Sequence, residues 1–322
     1  MNNSIDEIRS LIDSVDNIVI AGHTNPDGDA VGAVLAFSTA LKEKNKNVYV
    51  LLEEYAEKYN CIPNKELIYK GDYKDIKADL FISLDCGDID RLGEAKPLFE
   101  SMNSINIDHH ISNTYFGKLN YVNCDASSTS EIVFGIISGW CDMNKDISAC
   151  LYAGLVNDTG GFRHTSTTPL TMSIASQLIA YPFDFSGIYN SIYHSHTFVE
   201  TKLMGEALMN SELICDGKFA ISYISLETIK KYGGTPKDVD GVSEYLKNIT
   251  GTKVSAFLYE KGENQVKASL RSEDGFDVSA LVSKFGGGGH KKASGCTLES
   301  SLEDAVTTMK NAVISSFFEK GE

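Results

Sequence analysis

Residues 20–32 read Ile-Ala-Gly-His-Thr-Asn-Pro-Asp-Gly-Asp-Ala-Val-Gly, and the reading of this stretch decides the fold. The apolar run Ile18 to Ala21 stops at Gly22, and an alanine-rich helical pattern begins at about Asp29. The polar residues between them are a loop that leaves a strand and enters a helix, the edge at which open α/β sheets bind ligands. His23, Asp27 and Asp29 fall in that loop. Two carboxylates and an imidazole packed so closely repel one another or go unsatisfied unless something positive sits among them, and a divalent cation is the simplest occupant. Taken alone, Asn-Pro-Asp-Gly is more often only a turn, with Asp29 capping the next helix. The rest of the chain decides between the two.

Outward from this point, βα patterns alternate. Strands are predicted over 17–22, 47–52, 79–84 and 104–107, and a helix over 29–44. Short apolar runs separated by helical segments predict a mainly parallel sheet with helices on both faces. Three more helices are predicted, over 127–140, 146–157 and 168–181; the first opens with Ser127-Ser128-Thr129-Ser130-Glu131 and the second stops at Gly160-Gly161. This domain is expected over 1–187, a helical linker over 188–211, and a smaller α+β domain over 212–322. In the second domain, strands are expected at 218–225, 253–260 and 264–271, helices at 226–232, 277–285 and 301–318, and a glycine-rich loop around Gly286 to Gly289.

Composition narrows the function. At 322 residues, 42% hydrophobic and 23% charged, the chain has the make-up of a soluble globular protein with room for two cores. No apolar run approaches the roughly 18 residues of a membrane span, and no basic-then-apolar leader opens it, so a cytoplasmic protein without a membrane partner is expected. Seven scattered cysteines without a Cys-x-x-Cys pair argue against a disulfide framework or a thiolate zinc site. Cys86, next to Asp85, would make the protein oxidant-sensitive. The net charge is −15, with 15 Lys+Arg against 28 Asp+Glu in the first 211 residues. Such a surface disfavours long nucleic acid, whose binding rests on many basic contacts to phosphate.

The other apolar runs also end in acid, at Asp85 and at Asp108-His109-His110, and Asp158 precedes a glycine pair at a helix end. Each of these residues alone reads as a cap, a turn or a satisfied histidine. Together at strand ends, five carboxylates with no Lys or Arg nearby imply metal, because buried uncompensated charge is costly. Oxygen and nitrogen donors without thiolate suit Mn²⁺ or Mg²⁺, and imidazole tilts the choice to Mn²⁺. Six such ligands exceed the needs of one ion in an open site, so two ions sharing one carboxylate is the economical arrangement.

In this order and spacing the motifs resemble the DHH phosphoesterases, over nearly the whole chain. His23-Thr-Asn-Pro-Asp27-Gly-Asp29-Ala is similar to the first motif, Asp85 to the second, Asp108-His109-His110 to the third and Asp158-Thr-Gly-Gly-Phe-Arg163 to the fourth. Gly286-Gly-Gly-Gly-His290-Lys-Lys-Ala-Ser-Gly295 resembles the signature of the DHH-associated C-terminal domain. The resemblance implies that His23, Asp27 and Asp85 hold one metal and Asp29, Asp85, His109 and Asp158 the other. It makes Asp108 the partner that fixes a histidine tautomer, and it turns His110 to the substrate phosphate. His110 and Arg163 are candidates to stabilise charge on the phosphoryl oxygens. Arg271, Gly287, Gly288, Gly289, His290 and Lys291 are candidates for substrate binding, glycines allowing close backbone approach. The active site is then expected in a cleft between the domains.

Chain length and domain order most resemble the stand-alone members that degrade very short RNAs and dephosphorylate adenosine 3′,5′-bisphosphate. That implies hydrolysis of two-to-five-nucleotide RNA, including pApA or pGpG, to mononucleotides, and of the bisphosphate to AMP. Relatives also suggest a homodimer. A cyclic-dinucleotide phosphodiesterase is one alternative. A family II inorganic pyrophosphatase is another, although its C-terminal signature is a basic cluster where this chain has glycines and His290. The non-enzyme alternative is a nucleotide-binding regulatory module, against which no expected ligand is missing.

Overall fold

The computed structural model describes residues 2–239, 241–273 and 275–319. The chain divides after Ser195 into two compact units, inside the segment expected as a helical connection. The first unit runs α1 (Ile5–Asp13), β1 (Asn17–Ala21), α2 (Gly28–Glu43), β2 (Asn47–Leu51), β3 (Leu80–Leu84), α3 (Lys96–Glu100), β4 (Asn103–Asp108), β5 (Leu119–Val122), α4 (Thr129–Ile137), α5 (Lys145–Asp158), α6 (Pro169–Leu178) and α7 (Phe185–Tyr193). Its five strands are all parallel, in the order β2-β1-β3-β4-β5.

The strand sequences explain why both sheet faces are covered. Alternate side chains point to opposite faces, so Ile18, Ile20, Leu80, Ile82, Leu84, Ile105 and Ile107 enter a core with residues of α2, α4 and α5. Val19, Ala21 and Phe81 enter a second core with Phe99 of α3 and the short turns around Ile76 and Leu92. α2 is buried from Gly28 to Leu41, which is why its sequence shows no polar face.

Glycines set how closely the helices of this unit cross. A Cβ on Gly32 of α2 would stand 2.5 Å from the Cys150 carbonyl oxygen and 3.0 Å from the Gly154 nitrogen of α5. A Cβ on Gly154 would run into Ser130 Oγ of α4 and come within 2.6 Å of Asp29 Oδ1. Two missing side chains thus let α2, α4 and α5 meet at van der Waals distance.

The second unit comprises α8 (Phe198–Met209), β6 (Glu212–Ile214), β7 (Phe219–Ile224), α9 (Leu226–Lys231), α10 (Val242–Lys247), β8 (Val254–Gly262), β9 (Gln265–Ser272), α11 (Val278–Ser283), β10 (Gly288–His290), β11 (Ala293–Leu298) and α12 (Leu302–Glu319). Its sheet, ordered β10-β11-β9-β8-β7-β6, is antiparallel except for the β7/β8 pair. One core gathers side chains of α11 and α12, and another those of α8 and α10.

The glycine-rich segment is a hairpin rather than an irregular loop, with Gly289 opposite Ser294 and His290 opposite Ala293. Gly289 has φ +139 and a Cβ there would lie 2.6 Å from the Ala293 carbonyl oxygen, so only glycine fits.

Gly32→Ala should lower the free energy of unfolding by about 1–3 kcal/mol, the usual cost of overpacking. Gly205→Ala in α8, where a Cβ would meet nothing within 4 Å, should be neutral or slightly stabilising. Urea denaturation of the two variants checks the contrast.

Candidate metal centre

The strand order reverses at β1, whose neighbours are β2 and β3, and the cluster gathers at the carboxyl ends of β1, β3 and β4. His23 and Asp27 follow β1, Asp85 follows β3, and Asp108 ends β4 immediately before His109 and His110. Asp85 has φ +62, a left-handed backbone uncommon for a residue with a side chain, costing on the order of 1–3 kcal/mol. Its amide nevertheless donates to the Ile107 carbonyl at 3.0 Å, which fixes the turn.

Three groups of ligand atoms form, each within 4.8 Å of one another: His23, Asp27 and Asp85; Asp29, His109 and Asp158; and Asp85, His109 and His110. Asp85 is 2% exposed and faces histidines on both sides, with His23 Nε2 at 3.5 Å from Oδ2 and His109 Nε2 at 3.6 Å from Oδ1. His109 Nε2 lies 3.1 Å from Asp158 Oδ2. That contact is a charge pair without hydrogen-bond geometry, so the buried Nε2 has no hydrogen-bond partner.

The tautomers follow from the other ring nitrogens. His23 Nδ1 lies 2.8 Å from the Thr24 carbonyl oxygen, His109 Nδ1 3.4 Å from that of Ala126, and His110 Nδ1 2.7 Å from Asp108 Oδ1. With a proton on Nδ1, His23 and His109 each present an Nε2 lone pair to the cluster, whereas the Asp108 carboxylate raises His110 and favours its doubly protonated ring. The Arg91 guanidinium also lies 2.7 Å from His23 Nδ1. A guanidinium only donates, so it and Thr24 compete for that atom.

Backbone amides and hydroxyls share the remaining negative charge. Asp27, not Asp29, caps α2, accepting from the Asp29 and Ala30 amides at 3.0 and 3.1 Å. Asp29, fully buried, instead spans the start of α4, accepting from the Thr129 and Ser130 amides at 2.6 and 2.9 Å. There it meets the positive end of the helix dipole. Thr129 Oγ1 donates to Asp85 Oδ1 at 2.8 Å, and Asn113 Nδ2 to Asp108 Oδ2 at 2.6 Å.

This partial satisfaction leaves proton affinities displaced. Burial, followed by the charges of Asp85 and Asp158, raises the Asp27 carboxyl to about 6. Burial and the same two charges hold Asp29 well above the carboxylate range. For Asp85 burial pulls upward, but its histidines outweigh it and bring the group down to about 2. Burial alone would lower His109, yet Asp158, Asp29 and Asp85 outweigh it and raise the imidazole to about 10. Protons are therefore doing what a cation would do, and the orphaned Nε2 with its surrounding oxygens fits a divalent ion.

Of the remaining sequence candidates, Arg163 is exposed, its Nε donating to the Gly160 carbonyl at 3.1 Å. In the second unit Arg271 pairs with Ala293 and Ala293 with His290, so Arg271 and His290 stand level across three strands. Gly288, His290 and Lys291 are exposed and Gly287 is half-buried beside Cys296. Cys86 is fully buried, and burial pushes its thiol well above the ordinary value, which works against the oxidant sensitivity expected of it.

Sequence reasoning missed Arg91, Thr129 and Asn113. Arg91 corrects the expectation of no nearby basic side chain, although one guanidinium does not balance five carboxylates. The serine and threonine run at 127–130 was the available signal for Thr129, read only as a helix start.

The family model for the DHH family, N-terminal domain, matches residues 17–155, and that for the DHHA1 domain matches 216–316. The bifunctional oligoribonuclease and PAP phosphatase NrnA of Bacillus subtilis is 30% identical over 304 residues, covering 91% of this chain and 93% of that protein. The crystal structure of an exopolyphosphatase-related protein from Bacteroides fragilis superposes with a TM-score of 0.90 at 29% identity, covering 99% of this chain and 97% of that one. RecJ from Thermus thermophilus, solved in complex with Mn²⁺, shares the fold at a TM-score of 0.57 and 12% identity, covering 97% of this chain and 54% of its own. The chain belongs to the DHH family.

The displaced groups set the pH dependence of the metal-free protein. Asp27 and His109 both bind protons more tightly folded than unfolded. Their contribution is present at low pH and is lost for Asp27 between its ordinary value and about 6, and for His109 between about 6.5 and about 10. The melting temperature of chelator-treated protein should therefore fall as pH rises from 6.5 towards 9. Added Mn²⁺ should restore it most at the upper end, where displacing the remaining protons costs least. Thermal scans across that range, with and without Mn²⁺, check both trends.

Proposed function

We propose that this chain is a two-metal phosphoesterase that cleaves RNAs of two to five nucleotides, linear pApA or pGpG included, to mononucleotides, and converts adenosine 3′,5′-bisphosphate to AMP. The observation that carries the reading is the gathering of all six expected ligands in a chain aligned almost end to end with a bifunctional oligoribonuclease and PAP phosphatase. His23, Asp27 and Asp85 are assigned to one ion and Asp29, Asp85, His109 and Asp158 to the other, with Mn²⁺ as the ion in both. When bound, the pair supplies Lewis acidity and a water of lowered pKa.

The side chains do the rest. Asp108 accepts from His110 Nδ1 and its charge favours the imidazolium, so the half-exposed ring offers an Nε2–H donor to a phosphoryl oxygen. Arg163 is tied by Nε, leaving its terminal nitrogens for an anion. Donors aimed at oxygens where charge develops stabilise the transition state. Arg271, His290, Lys291 and the Gly287-Gly288-Gly289 backbone are assigned to the nucleoside end of the substrate. Supporting this, a Cβ on Gly288 would meet nothing within 4 Å, so its bareness is not explained by the hairpin's own packing.

The Mn²⁺-loaded protein should turn over an RNA dinucleotide and the bisphosphate quickly, and a twenty-mer, cyclic di-AMP and pyrophosphate weakly. Asp85→Ala should lose on the order of a thousandfold or more in rate. Arg271→Ala and His290→Ala should raise KM for the dinucleotide. Dominant pyrophosphate hydrolysis, or unchanged KM in both C-terminal variants, would overturn the substrate assignment.

A further inference from the structure

Asp158 sits where a carboxylate is poorly placed. It closes α5, at the negative end of the helix dipole, and shares its surroundings with Asp29, Asp27 and Asp85. Repulsion would swing it outward unless something held it. One oxygen, Oδ2, faces His109 at 3.1 Å. The other, Oδ1, accepts from Asn157 Nδ2 at 3.0 Å.

Asn157 is itself held in one sense. Its Oδ1 lies 2.9 Å from the hydroxyl of Tyr59, a buried residue ending the short turn Glu57–Tyr59. The carboxylate demands that the amide nitrogen face Asp158, so the phenol has to be the donor to Oδ1. A Cβ on Gly28 would come within 2.8 Å of Asn157 Cβ, Cγ and Oδ1, so the bare glycine between Asp27 and Asp29 makes room for this amide. The Tyr193 hydroxyl of α7 holds the same corner through the Val156 and Asn157 carbonyl oxygens, at 2.7 and 2.9 Å.

We propose that Asn157, with its amide sense fixed by Tyr59, is a positioning residue that presents Asp158 to the metal it shares with Asp29 and His109. The proposal rests on the reading of Asp158 as a metal ligand. It gives the tyrosine, nearly a hundred positions away in sequence, a role in affinity for one of two ions.

Calorimetric titration of metal-free protein with Mn²⁺ alone tests it, alongside melting of the same metal-free samples. Wild type should bind two ions. Asn157→Ala should weaken one of them by about 10–100-fold, the usual effect of removing a partner that orients a ligand, and leave the other. Tyr59→Phe should weaken the same ion by a smaller factor, and the double variant should be no worse than Asn157→Ala. If Asn157→Ala does not fold, Tyr59→Phe carries the test. Unchanged Mn²⁺ affinities with only a lower melting temperature would overturn the proposal, as would additive losses in the double variant. Asp158→Ala separates the two layers: if it binds both ions normally, the ligand reading itself fails. If it loses one ion while Asn157→Ala and Tyr59→Phe lose none, only the positioning role fails.

Discussion

Mutual repulsion among Asp27, Asp29, Asp85, Asp108 and Asp158 is the constraint on which the first unit depends. The fold answers it with a separate donor for each group: the first amides of α2 for Asp27, those of α4 for Asp29, Thr129 for Asp85, Asn113 and His110 for Asp108, Asn157 for Asp158. None of these is a lysine. For Asp27, Asp29, Asp85 and Asp158 the donors are neutral amides and a hydroxyl, which hold the carboxylates in place without the positive charge of an ammonium that would cancel the attraction for a cation.

The backbone makes that arrangement reachable. A parallel sheet delivers strand ends to one edge, and the reversal of order around β1 opens space there. The bare faces at Gly32 and Gly154 then let α2, α4 and α5 close on that edge, bringing Asp29 beside Asp158. α2 and α5 could not be separated by one side-chain layer without pulling that cluster of Asp29, His109 and Asp158 apart.

The features legible in sequence are those with local signals. β1, β3 and β4 are visible as apolar runs ending in acid, with His23, Asp27, Asp85 and His109 just beyond them, while Asp29 and Asp158 lie on α2 and α5. α1 does carry local signals, a Ser4–Glu7 capping box and apolar residues at Ile5, Ile8, Leu11 and Ile12, but at nine residues it is short for a repeating pattern. β5 is four residues with alternating burial, too short to stand out. The glycine run reads as a loop because glycine disfavours strands. What it records instead is the crowding of Gly287 and Gly289 against β11, set by residues several positions on. The donors that organise the site are hidden for a related reason. Thr129 lies 44 positions from Asp85 and 100 from Asp29, so no window of sequence contains the pair.

The clamp of Asp29 on the first turn of α4 reaches further than the cluster. Beyond those amides, Glu131 accepts from Ser127 at 2.7 Å and from Thr171 of α6 at 2.6 Å, and Thr171 closes the cap of α6 with Thr168. Opening the first turn of α4 consequently releases Asp29 and loosens the tie to α6 together. α6, with Leu170 and Met172 on its outer surface, is tied to that turn through Thr171 and Glu131.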